Sequence, residues 1–201
     1  KDQMKKIYIH LGFPRTGTTT LQYLLKDEKK IKFFSRNSNE NEVKLYEFLF
    51  KLINFEKEQF SFEELKENFK KIEFNKEINV ISEEGLLCQD YWIDGNDIYK
   101  SISIFSKILK DLNYDYTFIV VIRNQYDLIK SIYKYFFISY FYKKKLFKLR
   151  LLFENKNHSN IIQSLNYNYL YEFLMKEKIK FKFFIYENNY YSELSSFLRL
   201  K

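Results

Sequence analysis

The chain has 201 residues, a formal net charge of +8, a hydrophobic fraction of 46% and a charged fraction of 30%. That length suits one domain, 1–201, able to bury its own core, and the composition excludes a disordered chain. Four glycines and one proline exclude a collagen-like or linker-rich architecture, the single Cys88 excludes an internal disulfide, and two histidines, His10 and His158, leave little for a metal site, so no metal is expected.

The charge invites a polyanionic partner. No alanine occurs, however, while Lys, Ile, Asn, Phe and Tyr abound. These are residues of A+T-rich codons, so the lysine excess is read as composition, and nucleic acid is not an expected partner. No uninterrupted apolar run reaches ~18 residues, so no membrane-spanning helix is expected. The charged start runs straight into a strand and not into an apolar leader. A cytoplasmic location is expected, with peripheral contact at the inner membrane face as the alternative.

In chain order, Lys6 to Leu11 alternates around Ile7, Ile9 and Leu11 and reads as a strand. Gly12 to Gly17 follows as a loop, and Thr18 through Lys26 carries Leu21, Leu24 and Leu25 at helical spacing. Ile31 to Phe34 reads as a short second strand. Val43 to Phe55 places Leu45, Phe48, Leu49 and Leu52 on one helical face. Ser61 with Glu64 fits a capping box that opens a helix toward Phe69. Ile78 to Ser82 is a short apolar strand, and Asp97 is placed to cap a helix running to about Leu112. Tyr116 to Ile122 is apolar on both faces, as an interior parallel strand should be. Arg123 to Asp127 is its exit turn, with a long helix expected through Tyr140. Leu165 to Lys176 reads as helix, Phe181 to Tyr186 as strand and Ser192 to Leu198 as a last short helix. This alternation predicts an α/β fold: a P-loop-type three-layer architecture with a central, mostly parallel sheet of about four to five strands flanked by helices. Ligands in such sheets sit beyond the carboxyl ends of the strands. That rule directs attention to Gly12–Thr20, Ser82–Gly85 and Arg123–Ser131.

The first of these, Gly12-Phe13-Pro14-Arg15-Thr16-Gly17-Thr18-Thr19-Thr20, joins a strand to a helix start and has the makings of an anion cradle. Loop N–H groups and the helix N-terminus attract negative charge. Gly17 permits close backbone approach, and the threonines bring hydroxyls. A tight turn with threonine caps is the plain alternative, but three successive threonines opening a helix are poor for propensity. Gly12 and Gly17 have Walker A spacing. The following lysine is absent, Thr18 standing in its place, and the cation lies upstream at Arg15. A magnesium-bound triphosphate is therefore poorly provided for.

Gly12 to Thr19 resembles the 5′-phosphosulfate loop of the sulfotransferases that use 3′-phosphoadenosine-5′-phosphosulfate (PAPS), and the bacterial carbohydrate-type members in particular. Most members have Lys where this chain has Arg15; arginine keeps the charge and adds a fork suited to sulfonyl oxygens. Val120-Val121-Ile122-Arg123-Asn124-Gln125 with Ser131 resembles the family's 3′-phosphate motif, the Arg-to-Ser gap being 131 − 123 = 8, with Gln125 in place of the usual Pro. Ile81-Ser82-Glu83-Glu84-Gly85 is similar to a Ser-Ser-Glu stretch after the third strand of carbohydrate-type members, and Tyr186-Glu187 to a Tyr-Glu pair after the last strand. The Arg-Lys-Gly segment of the steroid and phenol class is not visible.

The resemblance implies sulfuryl transfer from PAPS to a hydroxyl acceptor, with adenosine 3′,5′-bisphosphate as the other product and no metal. Gly12, Pro14, Arg15, Thr16, Gly17, Thr18 and Thr19 would hold the 5′ end of the donor, and Arg123 and Ser131 its 3′-phosphate. Arg15 would also act in catalysis. A carboxylate in a closed cleft can take the acceptor proton: Glu84 is the first candidate, Glu83 the second and His10 the third. The implied acceptor is a carbohydrate. A protein-tyrosine sulfotransferase, a P-loop nucleotide kinase and a basic, non-catalytic glycan- or nucleic-acid-binding module are the alternatives. The Tyr-, Phe- and Lys-rich stretch 131–153 fits a glycan groove or a membrane surface and equally a core-facing aromatic helix.

Overall fold

A computed structural model describes residues 5–12, 15–26, 28–34, 40–83, 86–87, 98–131, 134 and 166–200. Five strands, β1 (Lys6–Gly12), β2 (Ile31–Phe34), β3 (Ile78–Ser82), β4 (Asp115–Ile122) and β5 (Phe181–Ile185), form one sheet in the order β2-β3-β1-β4-β5. Every pairing in it is parallel. Parallel neighbours need crossovers, and helices supply them. These are α1 (Thr18–Lys26), α2 (Glu40–Ile53), α3 (Phe55–Glu58), α4 (Phe62–Lys70), α5 (Ile98–Asp111) and α6 (Tyr167–Lys176), with α7 (Tyr190–Phe197) after the last strand. Residues 125–131 are also helical.

The pleat of β1 divides the apolar residues into two layers. Ile7, Ile9 and Leu11 face one core with Phe48 and Leu52 of α2, Leu65 and Phe69 of α4, and Phe105 and Ile108 of α5. Tyr8 faces the other with Val80, Ile119 and Val121, covered by Leu21 and Leu25 of α1 and by Tyr190 and Leu194 of α7. In a chain without alanine the first core is filled by rings. Phe69 lies 4.9 Å from Phe48, 5.5 Å from Phe105 and 5.5 Å from Phe74 between centroids, at tilted or edge-on angles. Such a ring has little room to be replaced by collapse of its neighbours. Phe69→Ala should therefore cost about 3–5 kcal/mol of stability, read as a lower urea midpoint at unchanged slope.

Most sequence expectations meet their elements within a few residues. Ser61 does cap α4, its hydroxyl accepting the Glu64 N–H at 3.1 Å. The Glu64 carboxylate takes the Lys51 ammonium at 3.1 Å, so the capping box is half made. Helix α2 begins at Glu40, three residues before the expected apolar stripe, and Glu40 and Glu42 complement its amino end. Asp97 and the expected helix beyond residue 134 lie outside the described residues.

The strand order decides which loops become neighbours. β1 is central, flanked by β3 and β4, and the connections leave it in opposite directions. The carboxyl ends of β3, β1 and β4 thus lie side by side at the topological switch point. Register brings Gly12 beside Val121 and His10 beside Ser82. The three segments singled out from sequence leave three adjacent strands.

Candidate functional site

The loop after β1 is described from Arg15 onward; Phe13 and Pro14 lie outside. Two of its residues have left-handed backbone, Arg15 at φ 69° and Gly17 at φ 76°. Glycine adopts this freely, whereas for arginine it costs energy and marks a constrained position. The Gly17 carbonyl accepts the Leu21 N–H at 3.0 Å and starts α1. The first-turn N–H groups that follow have no carbonyl four residues back within the helix. Thr16 and Thr18 are buried, while Thr19 and Thr20 are exposed.

Gly17 is also where the end of the chain reaches back. The hydroxyls of Tyr190 and Tyr191 both donate to its carbonyl at 3.2 Å. A Cβ at Gly17 would lie 2.6 Å from the Tyr191 hydroxyl, 2.9 Å from that of Tyr190 and 3.0 Å from the Tyr186 ring. Gly17→Ala must therefore strain the backbone and displace the tyrosines. A loss of about 2–4 kcal/mol is expected on chemical denaturation, and Tyr191→Phe in the same background should recover part of it.

The turn after β4 is tied down from several elements. The Tyr167 hydroxyl donates to the Arg123 carbonyl at 2.9 Å and accepts the Arg123 N–H at 3.4 Å; its burial raises the phenol pKa. The Asn124 N–H donates to Glu187 Oε1 at 3.0 Å, and Asn124 Oδ1 accepts the N–H groups of Tyr126 and Asp127 at 3.0 and 3.3 Å, capping residues 125–131. The Arg123 guanidinium stacks over Tyr186 at 4.9 Å from the ring centre. Its Nε is buried without a hydrogen-bond partner among the described residues, 3.9 Å from Glu187 Oε1.

These two segments meet. Arg123 Nη1 donates to the Arg15 carbonyl at 2.9 Å, and Arg15 Nε donates to Ser131 Oγ at 2.9 Å. The contacts join residues 108 and 116 positions apart. Five of the 34 basic residues are arginine, at positions 15, 36, 123, 150 and 199, and two of those five meet here. An open cleft of about 520 Å³ adjoins Arg123, lined also by Ile122, Asn124, Tyr167, Ile185 and Glu187.

The turn after β3 carries the acid candidates. Glu83 is 3% exposed, and its N–H donates to the His10 carbonyl at 3.3 Å. Glu84 and Gly85 lie outside the described residues. His10 is 1% exposed; its Nδ1 is 2.9 Å from Ser82 Oγ, which also accepts from Gln22 Nε2 at 3.4 Å. His10 Nε2 has no hydrogen-bond partner among the described residues. Burial pulls the imidazole pKa down to about 4, so His10 is neutral at pH 7 and a weak proton acceptor. The unfolded chain binds this proton near pH 6.5 and the folded chain does not, so stability is present above that pH and is lost as pH falls toward 4. A drop of about 2 kcal/mol between pH 7 and pH 5 is expected from this group, and His10→Asn should lack it in paired denaturation curves.

Among the described residues no cluster of three His, Cys, Asp or Glu side chains is placed to hold a metal ion, and no helix is long and apolar enough to cross a membrane. The sequence signalled Arg15, Arg123 and Ser131. It gave no role to Tyr167, Tyr190 or Tyr191, whose contacts span 44, 173 and 174 positions and leave no local pattern. Glu187 was noted only as half of a Tyr-Glu pair.

No family model matches the chain, and no curated protein matches it. The crystal structure of a sulfotransferase from Alicyclobacillus acidocaldarius is similar in fold, with a TM-score of 0.55, 13% identity, and coverage of 96% of this chain and 81% of that chain. The architecture is therefore the α/β, P-loop-type fold expected from the alternation of elements, here with five parallel strands.

Proposed function

We propose that the chain is a sulfotransferase that moves a sulfuryl group from PAPS to a hydroxyl acceptor, with a carbohydrate as that acceptor. The observation that carries the reading is the meeting of Arg15 with Ser131 at 2.9 Å and of Arg123 with the Arg15 carbonyl at 2.9 Å. Two anion-seeking segments, one resembling a 5′-phosphosulfate loop and the other a 3′-phosphate motif, share one end of the sheet. A nucleotide phosphorylated at both positions has the right charges for both. The donor set fits such a ligand: two guanidiniums, a serine hydroxyl, loop amides at a helix start, and a buried Arg123 Nε without a hydrogen-bond partner among the described residues. The position after Gly17 holds Thr18, not the lysine that reaches β- and γ-phosphates.

In this reading Gly12 and Pro14 to Thr19 hold the 5′ end of the donor, Arg123 and Ser131 hold its 3′-phosphate, and the cleft beside Arg123 is of small-molecule size. Glu84 takes the proton of the acceptor hydroxyl as that oxygen attacks sulfur. The bond from sulfur to the 5′-phosphate oxygen breaks, and Arg15 neutralises the charge that develops on the departing phosphate. Glu83, 3% exposed, is the second candidate for the role of proton acceptor.

Thermal stabilisation tests this directly. At ligand about 100-fold above its dissociation constant, the gain should be about 2.7 kcal/mol. Adenosine 3′,5′-bisphosphate should stabilise the chain at lower concentration than AMP or ATP–magnesium, and Arg123→Ala should erase most of its advantage over AMP. Preference for ATP–magnesium would instead support a kinase. Binding that falls steeply with salt, with no preference for a 3′-phosphate, would support a basic binding module.

A further inference from the structure

The sheet face beneath α1 is apolar along Tyr8, Val80, Ile119 and Val121. Its polar members include Thr117, buried beside Tyr8, and the group of His10 with Ser82 and Gln22 at the strand ends. His10 is two residues before Gly12, Ser82 is the last residue of β3, and Gln22 lies one turn into the helix that Gly17 opens. An aliphatic side chain at position 10 would serve packing alone, and it would not leave a buried ring nitrogen without a partner among the described residues. His10 grips the neighbouring strand twice: its ring holds Ser82 Oγ at 2.9 Å, and its carbonyl accepts the Glu83 N–H at 3.3 Å. Both contacts reach the segment that carries the acid candidates, and neither reaches Arg15, Arg123 or Ser131.

We propose that His10 is a positioning residue that, through Ser82 and the Glu83 N–H, holds the end of β3 and Glu83 against the strand that leads into the anion loop. This role rests on the transferase reading and replaces that of proton acceptor for this histidine. The Gln22 amide donates to Ser82 Oγ at 3.4 Å, and Ser82 Oγ and His10 Nδ1 share one hydrogen bond at 2.9 Å. The clamp acts at the residue next in the chain to the proposed acid, so its loss should slow turnover and spare nucleotide binding.

The test uses the full chain with water as the acceptor. It measures release of inorganic sulfate from PAPS, the donor KM, and the calorimetric affinity for adenosine 3′,5′-bisphosphate. His10→Phe and Ser82→Ala should each lower kcat about tenfold or more while donor KM and bisphosphate affinity stay within about twofold. His10→Asn, which keeps a nitrogen for Ser82, should recover most of the loss. The double variant His10→Phe/Ser82→Ala should be no worse than the worse single one, because the two side chains act as a unit. With isotope-labelled histidine, Ser82→Ala should shift the His10 Nδ1 resonance, assigned by comparison with His158→Gln. Unchanged kcat in both single variants, losses that multiply in the double variant, an unmoved Nδ1 resonance, or a parallel loss of bisphosphate affinity would overturn the proposal. A wild-type chain that binds the bisphosphate no better than AMP would overturn the transferase reading itself before any variant is made.

Discussion

An Arg15→Ala chain should transfer sulfuryl groups about 10²–10³ times more slowly than the wild type, the loss expected when one preorganised donor is removed from a developing anion. Single-turnover release of adenosine 3′,5′-bisphosphate would measure it. Arg15 is exposed yet held by two constraints. Its backbone lies at φ 69°, with the carbonyl taken by Arg123 at 2.9 Å, and its Nε is on Ser131 at 2.9 Å. A side chain fixed from both ends needs little reorganisation when charge appears beside it. Arg15→Lys keeps the charge and loses the planar fork, so an intermediate rate is expected. Equal rates for the alanine and wild-type chains would remove Arg15 from the chemistry.

Glu84→Gln should lower transfer by about 10²–10⁴, the usual contribution of a general base, while bisphosphate affinity stays near wild type. The amide is nearly isosteric with the carboxylate but cannot take the acceptor proton. Glu83→Gln is the control. Glu83 is buried, with its N–H on the His10 carbonyl, so its substitution should show more in stability than in rate. Undiminished turnover in Glu84→Gln with a large loss in Glu83→Gln would transfer the role to Glu83.

The sheet was legible because its strands carry their signal locally. Tyr116 to Ile122 is apolar at every position but Thr117, and it became an interior strand between β1 and β5. Helix α1 was bounded by the threonines after Gly17 and by Lys26, and α4 by the Ser61 cap. Helix α3 spans four residues, too few for a 3.6-residue period to show, and the helix expected over Val43 to Phe55 stopped at its first residue. Helix α7 starts at Tyr190, two residues before the expected Ser192, because Tyr190 turns inward to cover Gly17. A pairing that distant in the chain has no trace in spacing.

The candidate site was legible in the side chains proposed to bind anions and not in its scaffolding. Arg15, Arg123 and Ser131 stand at positions that match a motif, and the strand order then brings their loops together. Tyr167, Glu187, Tyr190 and Tyr191 hold those loops through hydroxyls and a carboxylate on main-chain atoms. Many tyrosines of this aromatic-rich chain would read alike in sequence, and only the fold selects which of them reach the site.

A crystal structure of the chain with adenosine 3′,5′-bisphosphate bound would put the double anchoring of the nucleotide to the test. The 5′-phosphate should lie against the loop amides beside Arg15, and the 3′-phosphate within hydrogen-bond distance of both Arg123 and Ser131. A nucleotide seated elsewhere on the molecule, with neither of those side chains on its 3′-phosphate, would refute the assignment of both loops.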